Sequence, residues 1–271
     1  MAVWSPPVRE MHGIESGHEK TRPPYAERIQ NNCTKEGVIM TEPSETASES
    51  STPNVAEPRR FDTFIFDLDG TLLDTLPDLV TMTNMSLAHF GWPERTRDEV
   101  LSFVGNGAKA LMVKAVPAGL PDDQVEAALA YWKGLYAEHG HTLTAPYPHV
   151  MDVLAELRRR GCKTAILSNK FDAGVKDVEA RYFPGLFDMA LGEGPVPRKP
   201  DPTGLLHVIA ELGADPARVA YFGDSAGDMA TARAAGVFAA GVTWGYQPRE
   251  ALVEAGADVL LDSAEQILQF A

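Results

Sequence analysis

The order of apolar runs in the second half of the chain is the feature that most constrains the fold. From residue 146 onward, short apolar runs typical of buried strands alternate with helical patterns of about ten residues. Strands and helices that alternate in this way form βαβ units, in which the helices pack on a parallel sheet. A further apolar run at residues 61–67 adds a buried strand. The pattern predicts an α/β fold, a Rossmann-like parallel sheet with helices on both faces.

Residues 76–145 interrupt this alternation with helical patterns alone. We predict helices over residues 76–90, 96–103, 108–116 and 121–138, and no second strand before residue 146. Thr96 and Glu99 have the spacing of a capping box, and Pro121 is typical of a helix start. The block is therefore predicted to be an inserted α-helical cap domain. The Rossmann-like core is then residues 61–75 and 146–271.

Composition limits the remaining classes of protein. Residues 1–60 are rich in Pro, Ser, Thr and Glu without apolar periodicity, which predicts a disordered N-terminal tail. The 271 residues carry a formal net charge of -14, which argues against nucleic-acid and anionic-membrane partners. No apolar run reaches the ~18 residues of a membrane span, and two cysteines exclude a disulfide scaffold. We expect a cytoplasmic protein, with monomer and homodimer both open.

The first predicted strand ends in the string D-L-D-G-T, which contains Asp67, Asp69 and Thr71. Ligands of open parallel sheets bind at the carboxyl ends of the strands. Two carboxylates two residues apart on extended chain lie about 6 to 7 Å apart. One of them can attack a substrate while the other handles protons on the leaving group.

Three further strand ends carry polar groups. Ser168 and Asn169 precede a predicted helix, where a hydroxyl and free N–H groups can hold an anion, although both are also common turn residues. Lys199, in a proline-stiffened loop, is either a solvated lysine or a cation that neutralises a phosphate or an attacking carboxylate. Asp224 and Asp228 stand four apart across a loop-to-helix transition, which directs both towards one point. Such oxygen-only ligands suit Mg²⁺.

These motifs, in this order, resemble the haloacid-dehalogenase superfamily of aspartate-nucleophile phosphatases. The resemblance rests on D-L-D-G-T, the strand end at Ser168, Lys199 and the string G-D-S-x-x-D at residues 223–228. It spans residues 61–271, and the helical block lies where that superfamily inserts its cap. The strings V-G-N-G-A at 104–108 and V-T-W-G-Y at 242–246 are similar to its phosphoglycolate phosphatase-like branch.

The resemblance implies a role for each residue. Asp67 is expected to be the nucleophile, Asp69 the general acid and then base, and Lys199 the bridge between nucleophile and phosphate. The residues expected to bind phosphoryl oxygens are Thr71, Ser168 and the backbone of Asn169. The expected Mg²⁺ ligands are Asp67, the carbonyl of Asp69, Asp224 and, as an outer or water-mediated ligand, Asp228. In the cap, Gly105 and Asn106 form either a helix-to-helix turn or a loop that contacts the substrate.

The predicted function is a Mg²⁺-dependent phosphomonoester hydrolase for a small phosphorylated metabolite, with phosphoglycolate the leading candidate. Pyrophosphate, sugar phosphates and nucleoside monophosphates stay open, because the core motifs bind only the phosphoryl end. Dehalogenases of this superfamily have a motif that resembles D-x-Y rather than D-x-D, so Asp69 favours a phosphatase. A phosphomutase usually has Val or a similar residue where Thr71 stands, which makes it a weak alternative. A non-catalytic scaffold is disfavoured, because all the charged anchors are present.

Overall fold

The computed structural model describes residues 61–271, so the predicted tail, residues 1–60, lies outside the described residues. The strands and helices are β1 (Thr63–Phe66), β2 (Leu73–Asp74), α1 (Leu76–His89), α2 (Arg97–Phe103), α3 (Gly107–Ala115), α4 (Asp122–His139), β3 (Ala145–Pro146), α5 (Val150–Arg159), β4 (Lys163–Phe171), α6 (Asp172–Tyr182), β5 (Met189–Glu193), α7 (Thr203–Glu211), β6 (Val219–Gly223), α8 (Ala226–Ala235), β7 (Phe238–Val242), α9 (Arg249–Glu254) and β8 (Val259–Leu261). Short 3₁₀ segments lie at Pro216–Arg218 and Ala264–Phe270.

Six of the strands form one parallel sheet in the order β5-β4-β1-β6-β7-β8. One face packs against α5, α6 and the last 3₁₀ segment, and the other against α7, α8 and α9. The predicted α/β class, with helices on both faces of a parallel sheet, is confirmed. The last element was predicted as an α-helix and is a 3₁₀ segment.

The apolar run that predicted β1 reflects its place in the middle of the sheet. Phe64 and Phe66 lie on one face, where both rings stack on Phe222 with centroids 5.9 and 5.0 Å apart. Ile65 lies on the other face, and all residues of β1 are buried. A strand covered on both faces has no solvent-facing position, so its side chains are continuously apolar rather than alternating.

Two strand predictions were wrong in ways that bear on the site. The expectation of no strand between β1 and residue 146 missed β2, which pairs with β3 in an antiparallel ribbon. Two-residue strands leave no apolar periodicity in a sequence. The second strand was expected to end at Leu167, but β4 continues to Phe171, with a register shift against β5. Ser168 and Asn169 therefore lie on extended chain, while α6 begins at Asp172, as predicted.

Helices α1 to α4 form the insert between β2 and β3, close to the predicted bounds. Their buried side chains, including Met82, Met112 and Trp132, belong to the same apolar cluster as one face of the sheet. The predicted capping box at the start of α2 is confirmed, since Thr96 N donates to Glu99 Oε2 over 2.7 Å and Glu99 N donates to Thr96 Oγ1 over 3.3 Å.

A buried carboxylate joins the two ends of the insert. Asp78, in the first turn of α1, is 1% exposed. It accepts hydrogen bonds from Leu143 N at 3.0 Å and from Thr144 N and Oγ1, both at 2.7 Å. The chain that enters the insert is thus tied to the chain that leaves it, beside the β2–β3 ribbon.

We expect Asp78→Ala to lower the free energy of unfolding by about 2 to 4 kcal/mol, because the N–H groups of Leu143 and Thr144 and the buried hydroxyl of Thr144 lose their shared acceptor. Urea unfolding followed by circular dichroism measures this loss. Asp123→Ala, which removes an exposed carboxylate from the first turn of α4, should cost well under ~1 kcal/mol. Equal losses in the two variants would contradict the role assigned to Asp78.

Candidate active site

The loop after β1 brings the first two carboxylates to the carboxyl edge of the sheet. Asp67 N donates to Phe222 O over 2.8 Å, so Asp67 is held by the neighbouring strand β6. Gly70 has a φ of 89°, and a Cβ there would overlap the carboxylate of Asp224. A glycine is therefore required at this position for two reasons, the positive φ of the backbone and the close approach of the Asp224 carboxylate.

Lys199 is the buried cation of the site. Its Nζ lies 2.8 Å from Asp67 Oδ1 and 2.7 Å from Asp228 Oδ1, and it donates to the hydroxyl of Tyr221 over 3.0 Å. Burial alone would lower the pKa of Lys199, but the carboxylates of Asp228 and Asp67 outweigh burial and raise it well above its usual value. The ammonium is therefore charged throughout the physiological range.

Three buried carboxylates lie close together here, and the Lys199 ammonium contacts two of them, Asp67 and Asp228. Ligand oxygens of Asp67, Asp224 and Asp228 all lie within 4.8 Å of one another. Burial, followed by the neighbouring Asp228, raises the pKa of Asp67 to about 6, although Lys199 opposes the shift. Burial and the charge of Asp67 raise the pKa of Asp224 well above its usual range. The arrangement therefore favours a bound cation or the protonated form of a carboxyl group.

The donor set fits a hard divalent cation. Asp67 Oδ1 is buried and accepts no hydrogen bond from the described residues, since the approach of Lys199 is close but lacks hydrogen-bond geometry. Asp228 has both oxygens occupied, Oδ1 by Lys199 and Oδ2 by the N–H and hydroxyl of Ser225. Asp224 also accepts two hydrogen bonds, from Thr71 Oγ1 and Tyr246 N, but Asp67 and Asp224 line the cavity whereas Asp228 does not. Asp67 and Asp224 are therefore the carboxylates placed to bind a metal directly, and Asp228 suits an outer position.

Asn169 organises the site through its side chain as well as its backbone. Its Oδ1 accepts from Lys199 N over 2.8 Å, and its Nδ2 donates to Lys199 O over 3.2 Å and to Gly105 O over 3.0 Å. One amide thus holds the Lys199 loop and a loop of the insert. Ser168 Oγ accepts from Lys170 N over 3.2 Å.

Gly105 and Asn106 lie against the core through their carbonyl groups. Besides the bond from Asn169 to Gly105, Arg198 Nη1 donates to Asn106 O over 2.7 Å. At Gly107, where φ is 78°, a Cβ would lie 2.6 Å from Glu193 Oε2. The turn therefore packs closely on the core, and its predicted contact with substrate stays a prediction.

A cavity of about 450 Å³ gathers most of the predicted residues. The predicted residues that line it are Asp67, Asp69, Gly105, Asn106, Ser168, Asn169, Lys199 and Asp224. Thr71 and Asp228 do not line it. Thr71 Oγ1 donates to Asp224 Oδ1 over 3.0 Å, so the structure directs this hydroxyl to a carboxylate, and its predicted contact with a phosphoryl oxygen stays a prediction.

The sequence analysis overlooked Lys170, which also lines the cavity. Its Nζ lies 3.1 Å from Asp69 Oδ1. Burial would lower the pKa of Lys170, but the charge of Asp69 outweighs it and raises the pKa above its usual value. The spacing of Lys170 from Ser168 could have identified it. If the strand continues past Ser168, the side chains of Ser168 and Lys170 point to the same side, because side chains two residues apart on extended chain share a direction.

The fold and the site together define a protein with an α/β fold and an acidic centre at the carboxyl edge of its parallel sheet, in a cavity that the helical insert also lines. The chain belongs to the haloacid dehalogenase-like hydrolase family, whose model matches residues 64–242. The protein is thus a hydrolase of this family, and curated relatives that it resembles are phosphatases.

Three similar proteins illustrate the relationship. The chain is 36% identical over 215 residues to phosphoglycolate phosphatase 1 of Pseudomonas aeruginosa, and the match covers 75% of this chain and 77% of that protein. It is 31% identical over 212 residues to the N-acetylmuramic acid 6-phosphate phosphatase of the same species, with 77% and 94% covered. The crystal structure of a predicted phosphoglycolate phosphatase from Haemophilus somnus superposes with a TM-score of 0.73 at 28% identity, covering 77% and 97%.

None of the helices in residues 61–271 combines the length and apolar character that crossing a membrane requires.

We expect Asp67→Asn to stabilise the metal-free protein by about 1 to 3 kcal/mol above pH 7, because it removes a buried charge that the folded state disfavours. The folded-state pKa of about 6 exceeds the ordinary 3.8, so this cost is absent below about pH 4 and develops as the pH rises through 6. The stability difference should therefore shrink between pH 7.5 and pH 5.

Urea unfolding in EDTA at these pH values measures the difference. Asp123→Asn, at an exposed position, is the control and should show no such pH dependence. A less stable Asp67→Asn protein at pH 7.5 would contradict the charge crowding described above.

Proposed function

We propose that this phosphatase is a Mg²⁺-dependent phosphomonoester hydrolase that works through an aspartyl-phosphate, with 2-phosphoglycolate as the leading substrate. The proposal rests on the surroundings of the Asp67 carboxylate. This group lies at the cavity wall, one oxygen is buried without a hydrogen bond, and Lys199 lies 2.8 Å away. A nucleophile needs a free electron pair and a nearby cation that offsets its repulsion from a phosphate, and Asp67 has both.

In the first step, an oxygen of Asp67 attacks phosphorus and the bond between phosphorus and the ester oxygen breaks. Asp69 then donates a proton to the departing oxygen, and the alcohol leaves. In the second step, Asp69 takes a proton from water as the water oxygen attacks phosphorus. The bond to Asp67 breaks, and inorganic phosphate and the free Asp67 carboxylate result.

The other residues bind and orient the phosphoryl group. Lys199 neutralises charge at the nucleophile, while Ser168 and the backbone of Asn169 lie at the cavity wall for phosphoryl oxygens. Asp67, Asp224 and the carbonyl of Asp69 would hold Mg²⁺, with Asp228 outside them. When bound, the ion supplies electrostatic stabilisation of the phosphoryl oxygens.

The preference for 2-phosphoglycolate rests on similarity to a relative with that named activity. A sugar phosphate is the second candidate, because another relative is named for N-acetylmuramic acid 6-phosphate. The cavity of about 450 Å³ is also large enough for ligands of that size.

We expect Asp67→Asn to lower kcat by roughly 10³-fold or more on every phosphomonoester that the wild type hydrolyses, because no other group can form the covalent intermediate. Phosphate release is measured on a panel of 2-phosphoglycolate, glucose 6-phosphate, a nucleoside monophosphate and pyrophosphate. Asp123→Asn serves as the matched exposed control and should retain wild-type rates.

Removal of metal is expected to abolish turnover, and Mg²⁺ should restore it, because the buried carboxylates leave a net negative site that repels phosphate. The panel is repeated after dialysis against EDTA and again with added Mg²⁺. Full activity in EDTA, or turnover by Asp67→Asn, would disprove the proposed mechanism.

A further inference from the structure

Lys170 is a buried ammonium in the cavity wall that the mechanism above does not use. Its side chain is 5% exposed. The nitrogen donates to Asp69, at 3.1 Å from Oδ1 and 3.5 Å from Oδ2, and the ring centroid of Tyr136 in α4 lies 5.0 Å away. Among the described residues, the polar partners of this ammonium are the Asp69 carboxylate and the hydroxyl of Tyr136. An ammonium has three N–H donors, so Lys170 has capacity for another partner.

Lys199 differs in this respect, although it is equally buried. It donates to Asp228, to the hydroxyl of Tyr221 and to the carbonyl of Leu167, and it also lies beside Asp67. Its donors are taken up by the protein, and its charge by two carboxylates. Of the two cationic side chains among the described residues that line the cavity, Lys170 is the one with a free donor.

The position of Lys170 restricts what it can bind. It contacts Asp69, the residue proposed to protonate the ester oxygen. A group that reaches the ammonium while the ester oxygen lies beside Asp69 must therefore be within one or two carbon atoms of that oxygen. The insert lines the cavity with apolar side chains, such as Leu79, Leu111 and Trp132, and with the polar side chains of Asp98, Ser102 and Asn106, none of which is a cation. An anionic group on the leaving alcohol thus has Lys170 as its cationic partner.

We propose that Lys170 determines the substrate class of this site by binding a carboxylate that lies one or two carbons from the ester oxygen. The inference rests on the proposed function and narrows it to phosphate esters of small hydroxycarboxylic acids. The alcohols released from sugar phosphates and nucleotides carry only neutral hydroxyl groups or ring atoms at that distance. They leave the spare donor of Lys170 without an anion.

The test compares two substrates of nearly equal size. 2-Phosphoglycolate has a carboxylate one carbon from the carbon-bound ester oxygen, and 2-hydroxyethyl phosphate has a neutral hydroxymethyl group instead. We expect the wild type to favour 2-phosphoglycolate in kcat/KM by on the order of 10- to 100-fold, the contribution of one charge-assisted hydrogen bond.

Lys170→Met should remove this preference mainly through KM, and Lys170→Arg should restore part of it. Any disturbance of Asp69 affects both substrates equally, so the ratio of their kcat/KM values reports only the contact between Lys170 and the substrate carboxylate. Lys114→Met, at an exposed position of α3, is the control and should keep the wild-type ratio. A wild type without preference, or an unchanged ratio in a folded Lys170→Met protein, overturns the inference.

A binding experiment distinguishes a failure of this inference from a failure of the proposed function. In the Asp67→Asn background, calorimetry measures the affinity for both compounds with and without Lys170→Met. If the wild type hydrolyses no phosphomonoester, the proposed function fails, but a preference for 2-phosphoglycolate that depends on Lys170 still supports the carboxylate site. Hydrolysis of both substrates at equal efficiency, with equal binding, leaves the phosphatase intact and overturns the role of Lys170. If Lys170→Met does not fold, the test rests on the kcat/KM ratio of the two substrates in the wild type and in Lys170→Arg.

Discussion

The pairing of one buried ammonium with a group of buried carboxylates is the constraint on which the rest of the structure depends. Lys199 contacts Asp67 and Asp228, and Asp224 lies within the same small volume. Charges in such a place are costly unless they are paired and hydrogen-bonded. The surrounding chain supplies these bonds, from Tyr221 and Ser225 to Asp228 and from Thr71 and the N–H of Tyr246 to Asp224. The negative excess that remains is what suits the site to a metal ion and a phosphate.

The same network connects the core to the helical insert. Asn169 holds Lys199 on one side and Gly105 on the other, while Tyr246 contacts Asp224 through its N–H and Thr75, at the start of the insert, through its hydroxyl. Displacement of the insert would therefore disturb groups that position Lys199 and Asp224. The position of the insert and the alignment of the charged groups are linked through shared hydrogen bonds, so the insert both lines the cavity and helps to position its charged groups.

Much of this could be predicted from local patterns. The alternation of strands and helices depends on which faces are buried, and the strand ends are marked by polar residues that follow apolar runs. The patterns failed where the outcome depended on distant chain. The ribbon of β2 and β3 forms because two segments about seventy residues apart meet. The extension of β4 depends on pairing with β5. Lys170 was overlooked because a turn between strand and helix, rather than a continuing strand, was expected at that point.

By itself, the sequence determined the fold class, the polar residues that follow four strands and the family, because these are visible in periodicity and in short motifs. Only the tertiary structure decided how the groups are paired. It directs Thr71 to Asp224, pairs Asp69 with Lys170, and leaves an oxygen of Asp67 without a hydrogen bond. The physical reason is that burial and charge pairing are set by residues distant in the chain, and local patterns carry no record of which distant groups will meet.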